Sequence, residues 1–498
     1  MSDPPESPEA GPKTPDLSMQ SALTDEAELA RLGYGQELLR EMGGFSNFAM
    51  SFSIISILTG ILTTFSDALG PGGPRGIGLG WLLVSAGTLV VALAMAELAS
   101  AFPTAGALYH WSALLGGPAF GWFTAAFNLL GQFTIVAAID YGLSRELGAL
   151  LGIRPLALFA AVLATHAAIN AVSTRAVAKL NDLSALVHVL GVAILVVALV
   201  AFAPKHPLGF LAEARTTRPD GNTSLGFANA LIMGMFTFTG YDASAHMSEE
   251  THDPARRAPV GILSSVIVSA VAGYALAASL TLAVPDLASA SADDHAALHV
   301  LRHALGPRAG SAGMALALVA MWFCGLSSIT SASRTLYAFA RDGGPPFARG
   351  LRQVHATART PVPAILVVAL AAFAFVAIAS LLRDRVFALT VQVATMGLYV
   401  SYGTPIALGA LARHRGLWRR SGPFSLGRMG LPVAWLASAW ALGVLVVCSL
   451  PPNAAAGAVL AGALASLGLF WHLFVRKRFK GPPLLLADLE AKPPTPSM

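Results

Sequence analysis

Apolar runs of roughly 20 residues recur along the chain, and no other feature restricts its folding more. A helix of that length matches the hydrocarbon thickness of a bilayer. In lipid every backbone N–H and C=O must pair within the protein, so such runs form helices or closed barrels. These runs are continuous rather than alternating, which argues against a membrane β-barrel. Composition closes off a soluble fold. Of 498 residues, 55% are hydrophobic and only 12% charged, against about 25% charged in soluble domains.

The pattern predicts an all-α integral membrane protein with twelve transmembrane helices. Their expected limits are 45–68, 77–100, 118–142, 153–172, 179–203, 226–245, 260–284, 311–338, 361–380, 386–410, 431–450 and 453–475. Pro451-Pro452 marks a tight turn between the last two. Residues 1–42 are polar, acidic and Pro/Ser-containing, and read as a disordered tail. They lack a basic stretch followed at once by an apolar core, so no cleavable signal peptide is expected. A second tail covers 476–498. Cys324 and Cys448 both lie in apolar runs and read as small buried hydrophobes.

The net charge of +5 points to basic loops rather than nucleic acid, because no basic patch has interleaved aromatics. Arginines cluster late in the chain, at Arg341, Arg349, Arg352 and Arg359, then at Arg413, Arg415, Arg419 and Arg420. With both termini cytoplasmic these clusters fall inside, in line with the positive-inside rule. The expected location is the plasma membrane, or the inner membrane of a bacterium.

Two runs break the apolar pattern. The first reads FSNFAMSFSIISILTG, Phe45 to Gly60, and carries Ser46, Asn47, Ser51, Ser53, Ser56 and Thr59. The sixth includes FANALIMGMFTFTG, Phe227 to Gly240, and continues through Tyr241 and Asp242 into ASAHMSEETHDPARRAPVG. Both open with Phe-x-Asn and reach Thr-Gly. Each leads a possible half of five helices, 43–203 and 226–410, with two additional helices over 431–475. An odd number of spans per half inverts the second in the membrane, the 5+5 arrangement of inverted-repeat folds. A glycine permits a local break. Such a break frees N–H groups at one half-helix start and carbonyls at the other half's end, which can hold a carboxylate and a cation. Asp242 can bind a cation, accept a proton or cap the second half-helix. Glu249, Glu250, Asp253, Arg256 and Arg257 read first as loop charges and second as a gating network.

Five blocks in order give the chain a resemblance to the amino acid–polyamine–organocation permease superfamily. More narrowly, it resembles the amino acid/choline transporter branch, with its GABA and choline permeases. The blocks are GGFSNFAMSFSIISILTG; MAELASAFPTAGALYHW from Met95; FTFTGYDASAHMSEETHDPARRAPVGI; SASRTLYAFARDGGPP from Ser331; and GLYVSYGTPI from Gly397. The resemblance covers roughly residues 43–475. It implies an alternating-access secondary transporter with broken helices 1 and 6. The breaks fall around Ser56–Gly60 and Phe238–Asp242. The resemblance assigns the backbone groups of Ile57, Leu58, Thr59 and Gly60 to a substrate carboxylate, with Ser56 opening the same substrate-binding break, Phe236 to an aromatic gate, and Thr237 and Thr239 to the amine side. Phe238, Gly240 and Asp242 complete the sixth-span part. His188 stands near the point of span 5 where several proton-coupled relatives have lysine. It can alternate charge near neutral pH, or be a neutral helix histidine bonded to a neighbour.

Gln132, in span 3, either faces the substrate route or locks span 3 to a neighbour. Tyr402, in span 10, either lines the pocket or anchors packing. Asp140, near the outer end of span 3, is positioned to reach interface water and can attract cations. Glu97 and the loop 102–109 read as gate structure. The expected substrate is an amino acid, GABA, choline or another amine. The proton is the expected coupling ion, with sodium the alternative through Ser327, Ser328 and Ser331. No cofactor or metal is expected, and membrane lipid is the surrounding partner. The chain is expected to be a monomer or homodimer. The competing readings are a polytopic receptor or sensor that binds such a ligand without net transport, and an intramembrane enzyme. The enzyme reading lacks any catalytic spacing, and the absence of a P-loop argues against direct ATP drive.

Overall fold

The computed structural model describes residues 25–382, 386–484 and 486. Among them, ten helical stretches are long and apolar enough to cross a membrane. The protein is therefore mostly helical and spans the membrane several times. In chain order the helices include α1 (Gly44–Ile55), α2 (Ile57–Ala101), α3 (Ala107–Gly116), α4 (Pro118–Leu151), α5 (Pro155–Val172), α6 (Thr174–Phe202), α7 (Thr223–Thr237) and α8 (Ala243–His246). There follow α9 (Pro254–Leu282), α10 (Pro307–Arg341), α11 (Val362–Leu382), α12 (Val386–His414), α13 (Gly430–Val447) and α14 (Ala454–Phe470).

α1 and α2 together make an apolar stretch of 58 residues. Straight, it would reach roughly 87 Å, nearly three times the roughly 30 Å hydrocarbon core. The chain interrupts it twice. Ser56 is left-handed, with φ 35° and ψ 81°. Gly73 takes φ 60° and ψ −164° between Pro71 and Pro74. The neighbours of α2 record the change of direction. Gly60 lies against Thr237, Gly72 and Gly76 both against Ala230, and Val84 against Gly234. The chain thus runs down α7, turns at Gly73 and climbs back beside it. The proline–glycine run between the expected spans 45–68 and 77–100 is this turn.

Outward and inward faces differ in polarity as lipid requires. α6 exposes Leu183, Leu186, Leu190, Ile194 and Val197, while Asn181, Ser184 and His188 are buried against α1 and α10. Polar side chains inside lipid-spanning helices face the bundle interior.

One expectation about the ends changes. Residues 1–24, and nearly all of 485–498, lie outside the described residues. Residues 25–42, expected to be disordered, pack across one end of the bundle. Leu29 and Leu32 are buried, and Tyr34, Gln36, Arg40 and Met42 are hydrogen-bonded to the bundle. Buried leucines and satisfied backbone groups offset the ordering entropy that polar composition suggested would prevail.

Candidate functional site

α1 ends at Ile55 and α2 restarts at Ile57, so the first break is a single residue. Ser56 caps the new helix through its own side chain, accepting from the Thr59 N–H at 3.3 Å. Its hydroxyl also bonds Thr59 Oγ1 and lies 2.7 Å from His188 Nε2. His188 Nδ1 lies 2.8 Å from the Ser184 carbonyl. A carbonyl can only accept, so Nδ1 carries a proton. In the neutral ring Nε2 then accepts the Ser56 hydroxyl proton; in the charged ring it donates to that oxygen. His188 is thus both bonded to its own helix and placed on the break. Ile57 and Leu58 occupy the first turn of α2, where helix geometry leaves N–H groups without intrahelical acceptors. Cys324 adds a contact that its reading as an inert hydrophobe missed, donating its thiol to the Ile54 carbonyl at 3.3 Å.

The second break covers 238–242, between α7 and α8. It turns on Gly240, whose φ of 96° is strained for any side chain and where a β-carbon would strike Ile54. Tyr402 holds the break. Its hydroxyl accepts from the Gly240 N–H at 3.1 Å and donates to Asp242 Oδ1 at 2.8 Å. Asp242 Oδ2 lies 3.2 Å from His246 Nε2. His246 Nδ1 in turn lies 3.0 Å from the Ala105 carbonyl and 3.2 Å from Thr335 Oγ1. Asp242 therefore does not cap α8, since its side chain makes no capping bond. Its carboxylate joins α12 to α8 instead. Sequence reasoning missed His246, although its i, i+4 spacing from Asp242 was a readable signal.

The breaks are laced together. Ser51 donates to the Tyr241 carbonyl at 2.8 Å and accepts from the Ser244 N–H at 2.9 Å. Asn47 donates to the Ser244 carbonyl at 2.9 Å. Gly60 has no room for a side chain beside Thr237. Other expected site residues have local partners. Thr237 and Thr239 donate to the carbonyls of Met233 and Phe236, both at 2.6 Å. Phe238 packs on Trp81, ring centroids 5.0 Å apart, while Phe236 is buried near the joint. Gln132 Nε2 donates to Ser331 Oγ at 3.3 Å, tying α4 to α10. Asp140 is not at an interface. It is fully buried and 3.1 Å from His166.

A cavity of about 900 Å³ approaches the joint from one end of the bundle, reaching Thr64 and Met233, one turn from Gly60 and Thr237. Asp67, Tyr141, Arg145, Asp294 and Phe387 also line it. The opposite end is sealed. Glu249 and Glu250, read first as loop charges, are buried in ion pairs. Arg341 grips Glu249 with two bonds of 2.9 Å, and Arg334 Nε reaches Glu250 at 2.7 Å. Tyr34 and Tyr109 both donate to Asp342 Oδ2, at 2.8 and 2.7 Å. Burial pushes the Asp342 carboxyl above its ordinary value, opposed by these two hydroxyls and by Arg341. Glu97 pairs with Arg413 at 2.6 Å. Among the described residues no cluster of His, Cys, Asp and Glu has the arrangement to hold a metal ion.

The two helix breaks thus lie at the foot of an open cavity. Residues 42–471 match the family described as amino acid permease. The chain is 35% identical to the amino-acid permease BAT1 homolog of Oryza sativa subsp. japonica, over 92% of this chain and 95% of that one. It is 34% identical to amino-acid permease BAT1 of Arabidopsis thaliana, over 92% and 96%. The GABA-specific permease of Saccharomyces cerevisiae is 27% identical over 95% of this chain and 88% of its own. These relatives are permeases rather than enzymes, which supports a transport function without catalysis. With a family match across most of its length and two relatives above 30% identity, the chain belongs to the amino acid permease family.

Proposed function

We propose that the protein is a secondary active transporter of an amino acid or a related small amine, working by alternating access. The observation that carries this reading is the joint itself: Ser56 and Gly240 interrupt two helices that are hydrogen-bonded to each other, at the foot of a cavity. Counting α1 with the first limb of α2 as one crossing, the second limb as another, and α7 with α8 as a third gives twelve spans. They form two halves of five, 43–203 and 226–410, and a final pair. The substrate carboxylate meets the first-turn N–H groups of α2, which replace its water. Phe236 closes over it, and Gly240, Asp242 and Tyr402 form the other wall. The sealed end, rich in arginine, faces the cytoplasm in the plasma membrane. His188 carries the coupling proton, because its contact with Ser56 reverses donor and acceptor when the ring is charged. The name of the yeast relative makes GABA a substrate to include.

The test is uptake by purified protein in liposomes, with a panel of amino acids, GABA and choline, under an inward proton or sodium gradient. Accumulation of one compound under the proton gradient alone is expected. Sodium dependence would move coupling to the α1/α10 hydroxyls. Specific binding with no uptake and no exchange from preloaded vesicles would replace the transporter reading with that of a receptor.

A further inference from the structure

A second ionisable pair lies inside the bundle, away from the joint and unused by the mechanism above. Asp140 on α4 and His166 on α5 are both fully buried, with Oδ2 and Nδ1 3.1 Å apart. Asp140 Oδ1 and His166 Nε2 have no hydrogen-bond partner among the described residues. α10 closes the site from the third side. A β-carbon on Gly325 would run into Asp140 and His166, and the Trp322 ring lies 5.0 Å from the imidazole. Asn170, one turn along α5, donates to the carbonyls of His166 and Leu326 and accepts from Thr330. Three helices therefore meet around one carboxyl and one imidazole.

The charges facing this pair are few. α5 carries no other titratable side chain, and α11, packed on both α4 and α5, carries none. From α10 the nearest is the Cys324 thiol; Arg334, farther along, is taken by Glu250. From α4, Tyr141 lies with its ring against Phe159, while Glu146 is bonded to His295 and Arg145 stacks over Phe387. Among the described residues no lysine or arginine is paired with Asp140. An ionised Asp140 beside a neutral imidazole is one uncompensated negative charge within a membrane-spanning bundle, a costly state. One added proton makes the pair neutral overall, whether it rests on nitrogen or oxygen. A second makes it positive, and among the described residues no other carboxylate is paired with His166.

We infer that Asp140 and His166 form a proton-binding site, distinct from His188, that takes up and releases one proton per transport cycle. Loading places one proton from water in the Nδ1–Oδ2 bond, and release returns it to water. Tyr141, the chain neighbour of Asp140, lines the cavity and gives the near side from which the proton arrives. The consequence passes through adjacent residues. Gly325 touches the pair, and Cys324 beside it holds the Ile54 carbonyl at the end of α1. Loading the pair thus bears on how α10 seats against the Ser56 break.

The coupling half of this inference rests on the transporter reading; the proton site does not. Two measurements separate them. In nanodiscs, an imidazole nitrogen resonance lost in His166→Gln and displaced in Asp140→Asn should change protonation state within the pH range over which the protein stays folded. A His166 resonance that keeps one state across that range overturns the site, whatever the transport assays give. In liposomes, Asp140→Asn and His166→Gln should lower proton-driven accumulation by about 5-fold or more while substrate counterflow persists. Wild-type accumulation in both variants overturns the coupling role. Loss of counterflow and accumulation together, with folded protein, also overturns it in favour of a packing role. A wild-type protein that titrates at His166 but moves no substrate refutes the transporter reading and leaves the proton site standing.

Discussion

At the scale of single residues, the joint depends on two backbone conformations that side chains resist. Gly240 combines a φ of 96° with Ile54 pressed against the place where a β-carbon would stand. Gly240→Leu should abolish transport while leaving the protein inserted and monodisperse, as uptake paired with size-exclusion chromatography will tell. Normal uptake by that variant would mean that the break has no part in transport. Ser56 differs in kind, because its left-handed backbone is held by what its side chain does. His188 shares that hydroxyl. His188→Ala should weaken the response of uptake to an imposed proton gradient, read as the ratio of rates with and without it. An unchanged ratio would remove His188 from coupling.

At the scale of elements, the ease of reading the chain follows the range of the forces. Span lengths are set by lipid thickness, so they were legible as apolar runs, and the turn of α2 at Gly73 falls in the gap between the expected spans 45–68 and 77–100. The helix breaks were legible too, because glycine and clustered hydroxyls are out of place in lipid. Pairings between helices were not. His166 lies 26 residues from Asp140, on another helix, and nothing local makes either unusual. Glu249 and Glu250 read as loop charges because their arginines come from α10, more than eighty residues away. Arg334 was the available signal, being an arginine within an apolar run. It is fully buried, and Glu250 nearly so. Removing one partner of a buried pair leaves the other's charge uncompensated, at about 3–5 kcal/mol. Glu250→Gln should therefore lower the unfolding midpoint in detergent well below wild type. The double replacement Arg334→Met, Glu250→Met should recover most of it. A midpoint for Glu250→Gln equal to wild type would show that water reaches this end and that the seal is looser than its geometry.

At the scale of the whole molecule, the two ends of the bundle are in opposite conditions: one opens into the cavity, and the other is closed by residues 25–42 and three buried acid–arginine or acid–tyrosine clusters. What spans the open end is correspondingly light. The helix Ala296–Leu305 is preceded by His295, whose Nδ1 lies 2.8 Å from Glu146 Oε2 on α4. Arg145 and Asp294, chain neighbours of this pair, line the cavity, so the clasp sits at its mouth. The hydrogen bond to Glu146 raises the His295 pKa, with Glu146 and Asp293 charges assisting and burial and Arg145 opposing. A histidine whose folded pKa is raised stabilises the fold fully below its unfolded value, about 6.5. That contribution is lost as pH climbs through the higher folded value. His295→Gln should therefore lie furthest below wild type in thermal stability on the acid side of about pH 6.5, and the two should converge as pH rises through the raised value. If transport opens and closes the mouth, the same window should appear in uptake: wild type slows relative to His295→Gln where the clasp is charged, and matches it where it is not. A stability gap independent of pH would make His295 a packing residue and leave the mouth unlatched.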